Sequence, residues 1–389
     1  MRLLYEIALF LLALVYLPKV LYQKKRYGKR GLLERFKIPK LTSTNKPLIW
    51  MHACSVGETN AATALLPYLK NYDLIISSTT ETGHQTAKKR FPDAQHIFLP
   101  FDFRWMQRKL FAQVKPILLL LTESDYWLNF IHEANCPVAI ISGILSERSF
   151  NRHKRFPAFA QKLFAPVSLI LVQNATYQAR FAALGISSHV TGNLKFDLPA
   201  KKPTPEDFVI TIGSTHAGEE ALILDVLEPL TLRYPQLKLL VVPRHPERFE
   251  YVKKLVQTRA ATAITQMGAL TDCYAKSKLA ICCGSFKGNI GGHNILEPVQ
   301  LGVPVLFGPQ MHAQQELVDL VTKANAGRQL QISELSNEVE AHLKDSNYHA
   351  NLCQNAKALD QMLRGVAQKT IHQLIEAGLL PINAEGGRL

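Results

Sequence analysis

A chain of 389 residues with 47% hydrophobic and 20% charged residues is long enough for two full-sized cores, and this composition excludes a disordered or fibrous protein. The formal charge of +14 calls for an anionic partner or surface. The aromatic residues do not interleave with the basic ones as a nucleic-acid stacking surface requires, which leaves anionic lipid as the expected partner and no nucleic acid.

Residues Leu3 to Leu17 are almost continuously apolar, broken by Glu6. The run is short against the roughly 20 apolar residues of a membrane-spanning helix. Lys19, Lys24, Lys25, Arg26, Lys29, Arg30, Arg35, Lys37 and Lys40 follow it. Basic residues after an apolar segment hold that side in the cytoplasm and attract anionic headgroups. A cleaved signal peptide would carry its basic residues first and a small-residue cleavage site after the apolar run. Residues 1–40 therefore read as a membrane anchor with a basic segment, either lying in the bilayer or crossing it once.

From Leu48 onward short apolar runs alternate with helical stretches. Strands are expected at Leu48–Met51, Leu74–Ser78, His96–Leu99, Ile117–Thr122, Val138–Ser142 and Leu169–Gln173. Between them Ala61–Asn71, Glu81–Phe91 and Thr176–Leu184 read as helices. The runs are apolar throughout, as in a parallel sheet covered on both faces. The proline- and lysine-containing stretch Asp197–Asp207 reads as a linker. Strands then resume at Val209–Gly213, Lys238–Pro243, Leu279–Cys283 and Val303–Phe307, with helices at Glu219–Tyr234, Glu247–Gln257 and Asn294–Leu301. Gln361–Ala377 reads as a last helix packing back on the first domain. The expected division is a first Rossmann-like domain over 41–199, a second over 200–360, and a C-terminal helix and tail over 361–389. Two such halves place a ligand cleft between them, at the strands' C-terminal ends. The six cysteines are scattered, without a C-x-x-C pair, so reduced thiols are expected and neither a zinc site nor a disulfide framework.

Chemistry-bearing residues recur at those strand ends. After the first strand, Ser55, Gly57 and Glu58 occupy the turn into a helix, where a carboxylate serves either as general base or as a partner of the helix dipole. T-E-S-D-Y-W-L-N places Asp125 after the fourth strand. L-S-E-R-S places Arg148 after the fifth, and T-G-N-L-K-F-D places Lys195 at the end of the first domain. In the second domain I-G-S-T-H-A-G-E-E sets Ser214 and His216 beneath the cleft, or simply caps a helix. V-P-R-H-P-E-R brings Arg244, His245 and Pro246 to a strand end, where a guanidinium can clamp phosphate oxygens. The stretch G-S-F-K-G-N-I-G-G-H-N-I-L-E-P contains Ser285, Gly291 and Gly292, then Asn294 and Glu297. Glycines allow close backbone approach, and a helix beginning near His293 would aim its amides at a phosphate. Glu297 is placed to accept hydrogen bonds from ribose hydroxyls.

In this order the motifs resemble the 3-deoxy-D-manno-oct-2-ulosonic acid (Kdo) transferase family over nearly the whole chain. The resemblance implies an α/β protein of the GT-B glycosyltransferase fold, two Rossmann-like domains facing a central cleft with an N-terminal membrane anchor. It implies transfer of Kdo from CMP-Kdo to the lipid A precursor at the cytoplasmic face of the inner membrane. Glu58 then matches the family's catalytic base, with Asp125 a second acid at the reaction centre. Arg244, His245, Pro246, Ser285, Gly291 and Gly292 match the CMP phosphate site, and Asn294 and Glu297 the ribose contacts. Ser55, Arg148, Lys195, Ser214 and His216 are candidate substrate contacts, Lys195 and Arg148 being alternatives for the Kdo carboxylate. CMP is a good leaving group, so neither a metal nor a cofactor is expected. The chain departs from the family pattern at Asp125 and Leu128, where the family has Glu and Pro, at Ser142–Ile144, where it has N-A-R, and after Pro309. A UDP-sugar transferase or epimerase of the same fold, or a non-catalytic membrane-surface relative, are the competing readings.

Overall fold

The computed structural model describes residues 2–27, 31–43, 46–198 and 202–381, with backbone alone for 16–27 and 31–32. The side chains of Lys19, Lys24, Lys25 and Arg26, all of Lys29 and Arg30, and the linker residues Pro199, Ala200 and Lys201 therefore lie outside the described residues. The chain divides into two compact units, residues 1–198 with 365–389, and residues 199–364.

The first unit is built on a seven-stranded sheet. Its strands are β1 (Leu48–His52), β2 (Asp73–Ser78), β3 (Gln95–Phe98), β4 (Leu118–Thr122), β5 (Val138–Gly143), β6 (Val167–Val172) and β7 (His189–Val190). The order is β3-β2-β1-β4-β5-β6-β7, and every pairing is parallel. Parallel neighbours need crossovers that cover the faces, which is why β1 and β4 are buried along their full length. Side chains alternate between two cores: Trp50, Leu119 and Leu121 pack with Phe111 and Phe130 on one side, and Ile49, Met51 and Leu120 with Leu65, Ile371 and Leu374 on the other.

The second unit has a six-stranded parallel sheet. Its strands are β8 (Glu206–Thr215), β9 (Lys238–Pro243), β10 (Ala261–Ala263), β11 (Ser277–Cys282), β12 (Val305–Phe307) and β13 (Gly327–Gln329), in the order β10-β9-β8-β11-β12-β13. Ile210, Ile212, Val241, Leu279, Ile281 and Leu306 form its core with the helix Glu219–Arg233.

Of the thirteen strands among the described residues, β7, β10 and β13 have no counterpart in the sequence reading. They lie at sheet edges and span two or three residues, too few to produce an apolar run. The expected helix at Ala61–Asn71 is instead an α-helix over Val56–Ala62 followed by a 3-10 turn over Thr63–Tyr68 that contains Pro67, a residue with no amide to donate. The expected last helix is broken at Gly365, whose φ is +83°. Ser346–Leu363 ends before it and Val366–Glu376 begins after it. The Asp197 carboxylate caps the second piece, accepting from the Gly365 and Ala367 amides at 2.7 and 2.5 Å. An N-terminal helix spans Arg2–Tyr27; among the described residues no helix is long and apolar enough to cross a membrane.

Candidate active site

In the first unit the chemistry gathers where β1 and β4 end. Ser55 begins the helix Val56–Ala62, its hydroxyl accepting from the Glu58 amide at 3.3 Å. The Glu58 side chain folds back so that Oε2 accepts from the Cys54 amide at 2.6 Å. Both readings of this turn are thus physically joined, because the capping bond fixes the carboxylate. Glu58 is buried. Burial raises its pKa, and Glu123 and Asp125 push the same way, while the Cys54 amide and His52 oppose them.

Asp125 is set the other way. Burial alone would raise its pKa, but hydrogen bonding and charge from His52, with Trp127 and Arg35, outweigh burial and lower it. His52, the last residue of β1, has a fully buried ring whose Nε2 lies 3.0 Å from Asp125 Oδ2. Its Nδ1 lies 2.8 Å from Ser77 Oγ, which itself accepts from Trp50 Nε1 at 2.9 Å. Trp50 only donates and an ionised carboxylate only accepts, so the chain of hydrogen bonds runs Trp50, Ser77, His52, Asp125. Two neighbouring acids with pKa values pushed apart have different roles, and Glu58 is the better proton acceptor of the two.

Glu123 carries a φ of +61°, uncommon for a non-glycine residue and found where a site constrains the backbone. Its carboxylate meets Lys195 Nζ at 2.7 Å. Lys195 also runs beside Gly57, where an added Cβ would lie 3.7 Å from its Cε and Nζ. Arg148, by contrast, is exposed on the helix Glu147–Arg155 and takes no part in this network. Asp125 forms part of the wall of a cavity of about 430 Å³, together with Tyr5, Trp127, Arg152, His153 and Phe159.

In the second unit the glycine-rich stretch and the turn after β8 are bound together by one buried acid. Glu219 is fully buried and accepts from four amides: Gly284 at 2.8 Å, Ser285 and Phe286 at 3.0 Å, and His216 at 3.1 Å. Those amides are therefore already occupied by a carboxylate. Ser285 braces the loop in the same way: its buried hydroxyl donates to the Cys282 carbonyl at 2.7 Å and accepts from the Gly308 amide at 2.8 Å. Glu220 takes a two-pronged bond from Arg248 at 3.0 and 3.1 Å.

Gly291 and Gly292 have φ values of +91° and +84°. A Cβ at Gly292 would stand 2.1 Å from Met311 Sδ, so the space above these glycines is filled by the following chain segment. The expected helix at Asn294–Leu301 is the single turn Leu296–Val299, with Asn294 Oδ1 accepting from the Leu296 amide at 3.0 Å. Arg244, His245 and Pro246 are exposed after β9. Burial raises the Glu297 pKa, against the charge of Arg244 and the Asn294 hydrogen bond.

Three histidines complete the group. His216 Nε2 and His293 Nε2 lie 2.7 Å apart, and the His245 ring stands edge-on to His216 at 5.1 Å. Burial first, then His216, Arg244 and His245, push His293 down to about 4, and burial lowers His216 as well. Near neutral pH the His216 and His293 rings are uncharged hydrogen-bonding groups, with the Arg244 guanidinium a cation beside them. Ser214, just before them, has a φ of +57°. No group of three or more His, Cys, Asp or Glu side chains among the described residues is arranged to hold a metal.

His52, Glu123, Glu219, Glu220, Arg248 and His293 were not singled out from the sequence. Each lies within or beside a motif that was, but its partner is a distant residue: 65 positions separate Glu219 from Gly284.

Residues 30–198 match the family profile of 3-deoxy-D-manno-octulosonic-acid transferase (kdotransferase). The chain is similar to the 3-deoxy-D-manno-octulosonic acid transferase of Chlamydophila psittaci, at 32% identity over 83% of this chain and 84% of that one. It is similar to the Haemophilus influenzae protein of the same description, at 32% identity over 76% of this chain and 79% of that one. Among solved structures a UDP-N-acetylglucosamine 2-epimerase aligns over 89% of this chain and all of its own, with a TM-score of 0.63. At 14% identity that likeness is one of fold alone.

Proposed function

The chain belongs to the 3-deoxy-D-manno-octulosonic acid (Kdo) transferase family, and so is a glycosyltransferase; from that premise we propose that it moves Kdo from CMP-Kdo to a glucosamine hydroxyl of the lipid A precursor. Glu58 takes the hydroxyl proton as the oxygen bonds to the anomeric carbon of Kdo. The bond from that carbon to the phosphate oxygen breaks, and its electron pair leaves with CMP. Arg244 meets the charge that develops on the phosphate, and the neutral His216–His293 pair, one N–H of which is used between the two rings, has one N–H left to donate. Asn294 and Glu297 hold the ribose. Lys195 is the cation for the Kdo carboxylate, a choice favoured over Arg148 by its place beside Gly57 and the Glu58 turn. Residues 1–40 hold the enzyme on anionic lipid at the cytoplasmic face of the inner membrane.

The observation that carries this reading is the state of Glu58: buried, fixed through one oxygen by the Cys54 amide, and raised in pKa beside Glu123 and Asp125. A carboxylate raised in this way is a stronger proton acceptor than an ordinary surface acid. The test is direct transfer. Purified full-length protein is incubated with CMP-Kdo, generated in situ, and tetraacylated lipid A precursor, and the products are weighed by mass spectrometry. A gain of one or more Kdo units is expected. An unchanged acceptor, with folded protein and donor present, overturns the reading, and selective binding of UDP over CMP would replace it with a UDP-sugar reaction.

A further inference from the structure

The helix Arg2–Tyr27 is inside out for a helix in water. Its half-buried positions, Arg2, Tyr5, Glu6, Leu9 and Ala13, recur at helical spacing and form the stripe that faces the protein. That stripe begins with the polar residues. The opposite faces are apolar and open: Leu3, Leu4, Ile7, Phe10, Leu11 and Val15 are between 48% and 75% exposed. A surface helix in water has the reverse arrangement, so this outward face suits a hydrocarbon neighbour.

The first turn is also fastened to the folded unit. Tyr5 Oη donates to Asp102 Oδ2 at 2.8 Å. Glu6 Oε1 accepts from the Arg104 amide at 2.7 Å and from Asn129 Nδ2 at 3.2 Å. Arg2 reaches Glu133 at 3.2 Å. Asp102, fully buried, accepts in addition from the Asn129 and Phe130 amides. A helix that crossed a bilayer away from this unit would carry residue 2 to the far side, out of reach of all these partners.

The surroundings of that first turn match a lipid surface. Arg104 shares Glu133 with Arg2, and the next residue, Trp105, is 54% exposed with Lys109 over its ring at 5.6 Å. Tyr5 neighbours Phe159 at 6.2 Å, and Phe156, on the same segment, is 59% exposed beside the exposed Arg152, Lys154 and Arg155. Exposed aromatic rings flanked by cations are the usual furniture of a membrane interface.

We infer that the N-terminal helix docks in the plane of an anionic leaflet, its apolar face in the acyl boundary and its first turn held on the catalytic unit, without crossing the bilayer. This inference rests on the membrane reading above and specifies its geometry. The charge complementarity of Arg104, Lys109, Arg152, Lys154 and Arg155, with the basic run after residue 18, commits the occupant to anionic lipid rather than a protein.

The experiment uses the full chain carrying a short hydrophilic epitope before Met1, in a Gram-negative host. Spheroplasts are treated with external protease before and after permeabilisation, and the purified protein is floated with vesicles of phosphatidylethanolamine and phosphatidylglycerol. Expected are flotation and loss of the epitope only after permeabilisation. Epitope loss in intact spheroplasts, with flotation retained, shows a crossing helix and overturns this inference alone. Failure to float with the anionic vesicles overturns both it and the membrane reading.

Discussion

Glu58 and Asp125 show how two acids on one sheet edge come to differ. Glu58 has one amide bond and two nearby carboxylates, and its pKa rises. Asp125 has His52 at 3.0 Å and the charge of Arg35, and its pKa falls. Replacing Glu58 by Gln keeps the shape and an oxygen for the Cys54 amide, so the fold survives, but it removes the carboxylate proposed above as the proton acceptor. Glu58→Gln is expected to lower kcat by about 100- to 10,000-fold, the usual share of a general base, with CMP affinity unchanged. Steady-state transfer rates and CMP titration read the two effects separately. A variant that turns over at the wild-type rate would remove Glu58 from the base role.

At the scale of elements, the second unit depends on Glu219 to join the turn after β8 to the glycine-rich stretch after β11. Glu219→Ala leaves the buried amides of Gly284, Ser285 and Phe286 without their acceptor. Each buried donor left unpaired costs about 1–3 kcal/mol, so a loss of more than about 3 kcal/mol from this unit is expected. Hydrogen exchange should accelerate at those three amides well before it does in β8. Equal protection in wild type and variant would mean that the acid does not hold the loop. This bond is also where sequence reading stopped. The central strands were legible, because β1, β4, β5 and β11 are runs of buried apolar residues. The site's neighbourhood was legible too, because glycines, prolines and acids cluster at strand ends. What Glu219 does was not, since an acid two residues before a helical apolar run looks like a cap whichever loop it later meets. The edge strands and the break at Gly365 escaped for the same reason: pairing partners and a cap from Asp197 decide them, and those lie far away in sequence.

At the scale of the whole molecule, burial gives eight of the histidines a common direction. His84 and His349 are pushed down to about 4, His293 to about 4 and His342 to about 3, and burial lowers His96, His132, His153 and His216 as well. In the unfolded chain a histidine takes its proton near its ordinary value of 6.5, so below that pH the unfolded state binds more protons than the folded one. Stability from these rings is therefore complete above about pH 6.5 and is lost as pH falls toward 4. Asp102 acts in the opposite sense. Burial, only partly offset by the Asn129 and Phe130 amides, Tyr5 and Arg35, raises it to about 7, so its contribution is present in acid and is lost as pH rises through about 7. Burial raises Glu58 and Glu297 in the same sense as Asp102, and these three acids set against eight histidines leave the loss in acid dominant. Carboxylates lowered by ion pairs would delay acid unfolding until below about pH 4, so the onset separates the two causes. Scanning calorimetry of the full chain should show Tm falling by about 10 °C or more between pH 7 and pH 5. A Tm that stays level to pH 5 and drops only below pH 4 would mean that ion-paired acids, and not buried histidines, set the acid limit of this fold.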